Sequence, residues 1–77
     1  MGKYDPLFQY LNVNGNPEVT LRYDEIENII SARLPASAYK YIQWWGNNSH
    51  VQSRSWMDAG YKVYSVFLGD KAIFIKE

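Results

Sequence analysis

Seventy-seven residues with 8 basic and 8 acidic side chains make a small electroneutral chain, too short for two cores and far from strongly basic. The absence of cysteine excludes disulfide staples and thiolate metal sites, so 3 Trp, 7 Tyr and 3 Phe must supply much of the buried area. No apolar run reaches membrane-spanning length and no signal-like leader opens the chain, so a cytoplasmic protein without a membrane partner is expected.

The charges are unevenly placed. Residues 1–27 hold two basic and five acidic side chains, a balance of −3. Residues 28–69 hold Arg33, Lys40, Arg54 and Lys62 against Asp58 alone, a balance of +3. The last eight residues are neutral. A small positive field over the middle of the chain is what a nucleic-acid footprint requires, and it is also what an ordinary mixed surface shows.

Asp5-Pro6 reads as a helix start, with Asp as the cap and Pro in the first turn. Over Pro6 to Val13, Leu7, Phe8 and Leu11 share one face. The run Asn14-Gly15-Asn16-Pro17 ends that helix. Glu18 to Tyr23 alternates Val19, Leu21 and Tyr23 with polar residues and predicts a half-buried strand. Asp24 and Glu27 have the spacing of a capping box for a second helix, whose Ile26, Ile29 and Ile30 form its core face. The acidic first turn of that helix is explained by capping and by the helix dipole. Ser31 to Pro35 breaks it.

Ser37 predicts a third helix through Trp45, with Ala38, Tyr41, Ile42 and Trp45 facing the core. Gly46-Asn47-Asn48 interrupts, and Ser49 predicts a fourth helix to Ala59, ended by Gly60. Trp56 and Ala59 are its expected core contacts, while His50, Ser53, Arg54, Met57 and Asp58 are expected to project outward. Trp45 and Trp56 read as core anchors. Trp44 has two readings, a cap on the core beside Tyr23 or Tyr41 and an exposed binding anchor. From Tyr61 the period changes to two: strands at 61–68 and 71–76 flank Gly69-Asp70, a two-residue type II′ hairpin. Its register pairs Val66 with Ile73 and Tyr64 with Ile75 on one face, and Phe67 with Ala72 and Ser65 with Phe74 on the other. The strand near Val19 to Tyr23 can join an edge of this ribbon.

The fold class implied is α+β: one winged helix-turn-helix-like domain over 1–77, with about four short helices and a small antiparallel sheet. In that arrangement the second helix of the motif enters the DNA major groove. The candidate nucleic-acid contacts are Lys40, Asn47, Asn48, Ser49, His50, Ser53, Arg54 and Lys62. Asn47, Asn48 and Ser49 would hold phosphate, and Arg54 would read guanine with its two-pronged donor. If Ser49 to Gln52 is loop, 37–45 becomes the recognition-like helix. The second reading is a protein-docking or self-associating module using Trp44, Phe67 and Phe74. Catalysis is not expected: one histidine without cysteine gives no thiol nucleophile, Ser49 and His50 are neighbours that point apart, and no phosphate loop or nucleophile elbow occurs. No cofactor or metal is expected either.

The segments KYDPL, EVTLRYDEIENII, LPASA, WWGN and SWMDAGYKV together resemble a family of short, mostly uncharacterised bacterial domains. The resemblance covers nearly the whole chain, and the run from LPASA through WWGN to SWMDAG is its most specific part. Such domains occur alone or appended to other bacterial proteins, including nuclease-like ones. The resemblance implies recognition rather than catalysis and assigns no residue a role.

Overall fold

A computed structural model describes residues 2–77. In chain order the elements are α1 (Asp5–Asn14), β1 (Glu18–Arg22), α2 (Tyr23–Ile30), α3 (Ala36–Lys40), a 3-10 turn (Ile42–Trp45), α4 (Val51–Met57), β2 (Tyr61–Phe67) and β3 (Lys71–Lys76). The three strands form one antiparallel sheet in the order β1-β3-β2. The sheet packs Val19, Leu21, Ala72 and Phe74 against the helices, and α1 lies on both α2 and α4. This is the expected α+β architecture of four helices and a three-stranded sheet.

The helix starts differ from expectation in instructive ways. Asp5 is the first residue of α1 rather than its cap; Tyr4 stands at the cap, and the Asp5 carboxylate accepts the Gly2 N–H at 2.8 Å. In α2 the capping contact falls two residues earlier than the Asp24–Glu27 spacing suggests, because Tyr23 is already helical. Glu25 accepts the Arg22 N–H at 2.9 Å. Glu27 is thereby freed for a longer reach, accepting the Leu34 N–H and the Tyr39 hydroxyl, both at 2.8 Å. Its carboxylate ties α2 to the connecting loop and to α3.

The third predicted helix does not run from Ser37 to Trp45. It spans Ala36–Lys40 with Pro35 rather than Ser37 at its cap, and Tyr41 is extended at φ −123° and ψ 123°. The cause lies in the Ala38 carbonyl. A continuous helix would give that oxygen to the Ile42 N–H. Here it accepts the Trp45 indole N–H at 3.0 Å and the Tyr23 hydroxyl at 2.8 Å. Both donors are buried, so leaving either without a partner would be costly. The chain breaks at Tyr41 and drops Trp45 into the core, which leaves Tyr41 and Ile42 more than half exposed instead of buried.

Trp45 is the centre of a connected set of rings. It stacks on Trp56 at 5.9 Å and meets Tyr23 at 5.2 Å and Trp44 at 4.8 Å. Trp56 continues to Phe74 at 5.7 Å, carrying the set onto the sheet. Trp44 is half-buried and capped by Tyr4 at 6.0 Å, so it closes the core edge against α1 rather than beside Tyr41. Phe74 is wholly buried, and of the rings suggested for protein docking only Phe67 lies well exposed.

The hairpin register is shifted by one residue from expectation. Val66 pairs with Ala72 and Phe67 with Lys71. Leu68 belongs to the loop, not the strand. The Asp70 N–H closes the turn on the Phe67 carbonyl at 2.8 Å, and Gly69 takes φ +79° at the third turn position, where a type II turn requires a residue tolerant of positive φ. The Asp70 carbonyl then accepts the Tyr23 N–H at 2.9 Å, fastening the turn to the start of α2. A bulge between Val63 and Ser65 adds a second residue to the shift, placing Val63 opposite Phe74 where Ser65 was expected and leaving Tyr64 75% exposed.

These contrasts set a direct comparison of two neighbouring residues. Trp45→Ala should lower stability by about 3–5 kcal/mol, while Ile42→Ala should stay within about 0.5 kcal/mol of the parent. Urea unfolding followed by far-ultraviolet circular dichroism measures both; a comparable loss at Ile42 would mean that the helix runs through.

Candidate nucleic-acid interface

The corner that joins the 3-10 turn to α4 is Gly46 to His50, a bent loop rather than the start of a helix. α4 begins at Val51 with His50 at its cap and no side-chain cap, so Ser49 does not have the expected role. The corner is instead closed from within. The Asn48 side-chain oxygen accepts the His50 N–H at 3.0 Å. The Ser53 hydroxyl donates to the Gly46 carbonyl and lies 3.1 Å from that same Asn48 oxygen. A Cβ on Gly46 would stand 2.9 Å from the Asn48 amide nitrogen and 3.2 Å from the Gln43 carbonyl, so a side chain there would displace the Asn48 amide. From α4, the Gln52 side chain donates to the Trp44 carbonyl at 3.1 Å.

Asn47 is the most heavily committed residue of the corner. Its oxygen accepts the Trp56 indole N–H at 3.0 Å and the Val63 N–H at 2.9 Å, and its NH₂ donates to the Val63 carbonyl at 3.1 Å. The amide thus pairs with the N–H and the C=O of one β2 residue as a neighbouring strand would, and holds the buried Trp56 indole as well.

The eight candidate contacts therefore separate into two groups. Asn47, Asn48 and Ser53 form internal hydrogen bonds, and Ser53 is fully buried, against the expectation that it projects outward. Lys40, Ser49, His50, Arg54 and Lys62 are exposed. Among the described residues Lys40, at the end of α3, forms no ion pair. Lys62 on β2 pairs with Glu77 at 2.8 Å, and Arg54 approaches Asp58 one helical turn away at 4.0 Å. Both pairs are exposed and contribute at most about 1 kcal/mol each, so either cation is free to exchange partners. Arg54, with Val51, also lines a groove of about 570 Å³ against the N-terminal turn of α1, where Tyr4, Asp5 and Phe8 face it and Asp58 adds a second carboxylate.

The titration behaviour belongs to the scaffold rather than to this surface. Burial raises the hydroxyl pKa of Tyr4 and Tyr23. Tyr39 is raised first by its hydrogen bond to the Glu27 carboxylate, then by burial. Neutral tyrosine is the form that the fold stabilises, so this contribution is full below the unfolded value of about 10 and is lost as pH rises past it.

The chain belongs to the family described as a domain of unknown function (DUF7662), whose model matches residues 4–77. Nothing among the curated proteins or the solved structures matches it. Among the described residues no helix is long and apolar enough to cross a membrane.

Sequence reasoning missed Glu27, Asn47 and the Ala38 carbonyl as joints. The one available signal was a pair of asparagines near the tryptophans of a chain whose buried indole N–H groups need acceptors. Asn47→Ala should remove the acceptor of Trp56 and both bonds to Val63, at a cost of about 1–3 kcal/mol. Hydrogen exchange should show faster loss of the Val63 amide and the Trp56 indole proton in the variant; unchanged protection at both would mean that Asn47 is dispensable to the fold.

Proposed function

We propose that this member of the DUF7662 family is a non-catalytic, winged-helix-like recognition domain that binds DNA in the cytoplasm. The observation that carries the reading is the order of parts: α1, β1, α2, α3 and the 3-10 turn, α4, then a β2–β3 ribbon entered directly from α4 through Gly60. In winged helices the helix in the place of α4 is the one that meets the major groove. The positive balance of residues 28–69 lies over the same segment.

Within this reading Lys40, Ser49, His50, Arg54 and Lys62 contact nucleic acid, while Asn47 and Asn48, exposed but hydrogen-bonded internally, hold the corner in shape with Ser53. The turn of the ribbon is fastened to α2, so the ribbon contributes through Lys62 on its strand and not through a projecting tip. Three cations make a small footprint. Backbone contacts should then dominate, with weak affinity and low sequence selectivity. Arg54 is the best placed residue for a base edge, and Asp58 beside it opposes binding.

A second reading, a protein-docking module, is favoured by the exposed side chains Tyr41, Ile42 and Phe67, together with Tyr64 on the bulge. Fluorescence anisotropy of short labelled duplex and single-stranded DNA separates the two. For contacts through Lys40, Arg54 and Lys62, log affinity for duplex should fall with log salt at a slope of about −3. Arg54→Ala should weaken binding by about 1–3 kcal/mol, and Asp58→Asn should strengthen it. No binding to either DNA at low salt excludes the first reading and leaves the second.

A further inference from the structure

The two edges of the sheet are finished differently. On β2, Asn47 occupies both peptide groups of Val63, and the bulge at Tyr64 disturbs the pairing pattern. These are recognised ways of blunting an edge strand. On β1 the groups facing outward follow from the ladder itself. The Lys76 N–H bonds to the Pro17 carbonyl at 2.8 Å and the Tyr23 N–H to the Asp70 carbonyl at 2.9 Å. In an antiparallel pair such bonded positions recur every second residue. Residues 17, 19, 21 and 23 therefore face β3, and Glu18, Thr20 and Arg22 turn their peptide groups to the open edge. The Arg22 N–H is already taken by Glu25. At the centre of the edge, Thr20 has no partner for its N–H or its carbonyl among the described residues.

The side chains along that edge are self-complementary. β1 reads Glu-Val-Thr-Leu-Arg. If it is laid antiparallel on a second copy about Thr20, Glu18 falls opposite Arg22 of the other copy, Val19 opposite Leu21 and Thr20 opposite itself. The two-fold axis repeats each pairing. Glu18, Thr20 and Arg22 are exposed, on the face away from the core. Arg22 is engaged only by the exposed Asp24 at 3.5 Å. Opposite charges placed directly across two strands stabilise pairing, and like charges oppose it.

We propose that β1 is a self-association edge, on which a second copy of this chain pairs its own β1 antiparallel about Thr20 to make a continuous six-stranded sheet. Thr20 supplies two reciprocal backbone hydrogen bonds at the axis, and two Glu18–Arg22 pairs fix the register. The contact is short, so the dimer belongs to the transient size class, with less than about 1,200 Å² buried. It does not depend on DNA binding and is measured without nucleic acid.

Sedimentation velocity on the full chain, from micromolar to millimolar, should show a reversible monomer–dimer equilibrium. Glu18→Arg places like charges across the axis twice and should raise the dissociation constant by about tenfold or more. The double variant Glu18→Arg with Arg22→Glu should restore association, because it exchanges the charges without changing their pairing. Thr20→Pro deletes the central donor at an edge position that tolerates proline, and should abolish the dimer with circular dichroism unchanged. If Glu18→Arg fails to fold, Thr20→Pro decides. A chain that stays monomeric at millimolar concentration overturns the proposal; so does association unaffected by Thr20→Pro, or a charge exchange that fails to rescue a folded Glu18→Arg.

Discussion

The amide of Asn47, set between the Trp56 indole and the peptide groups of Val63, joins the helical layer to the sheet. Trp56 packs between Trp45 and Phe74, and so between the broken third helix and β3. Its indole N–H needs an acceptor inside the protein, and Asn47 provides one from the corner that positions α4. The same amide covers part of the free edge of β2. One side chain thereby fixes three relations: where α4 begins, how deeply Trp56 sits, and how the outer strand is held. A chain of this length buries only about 60% of the surface its unfolded form exposes, so such shared joints carry a large part of its stability.

A second joint, the Ala38 carbonyl, works on the same principle. It accepts the Tyr23 hydroxyl and the Trp45 indole, and the helix ends because that oxygen is engaged. Glu27 then links α2 to the loop and to Tyr39. With no cysteine to form a disulfide, the aromatic rings supply apolar area and their polar edges hold the elements in register. The tryptophans build the platform that carries the short polar face around α4.

Element types and the core anchors were largely legible in the sequence. Period-two alternation marked β1 and the hairpin, the isoleucine spacing marked α2, and Trp45 and Trp56 read as buried. What the sequence concealed was where side chains replace backbone partners. Helical periodicity assigned Tyr41 and Ile42 to the core because nothing local reveals that the Ala38 carbonyl is taken by residues seven and fifteen positions away. The hairpin register slipped because the turn closes from the Asp70 N–H to the Phe67 carbonyl, with Leu68 and Gly69 rather than Gly69 and Asp70 at its centre. At the candidate interface Ser53 was assigned to the solvent face by its spacing, and it is buried because Gly46 folds back over it. Asn47 and Asn48 read as phosphate ligands by residue type, whereas their amides complete the corner.

We propose that this internally fixed corner lies beside the three cations that meet DNA, Lys40, Arg54 and Lys62. Amide chemical-shift mapping by two-dimensional NMR, with a short duplex added at low salt, tests it most directly. Shifts should concentrate at residues 40, 49–54 and 62, with smaller ones at 47 and 48 and none along α1 or β1. An unchanged spectrum would contradict the account, as would shifts centred on Tyr41, Ile42, Tyr64 and Phe67.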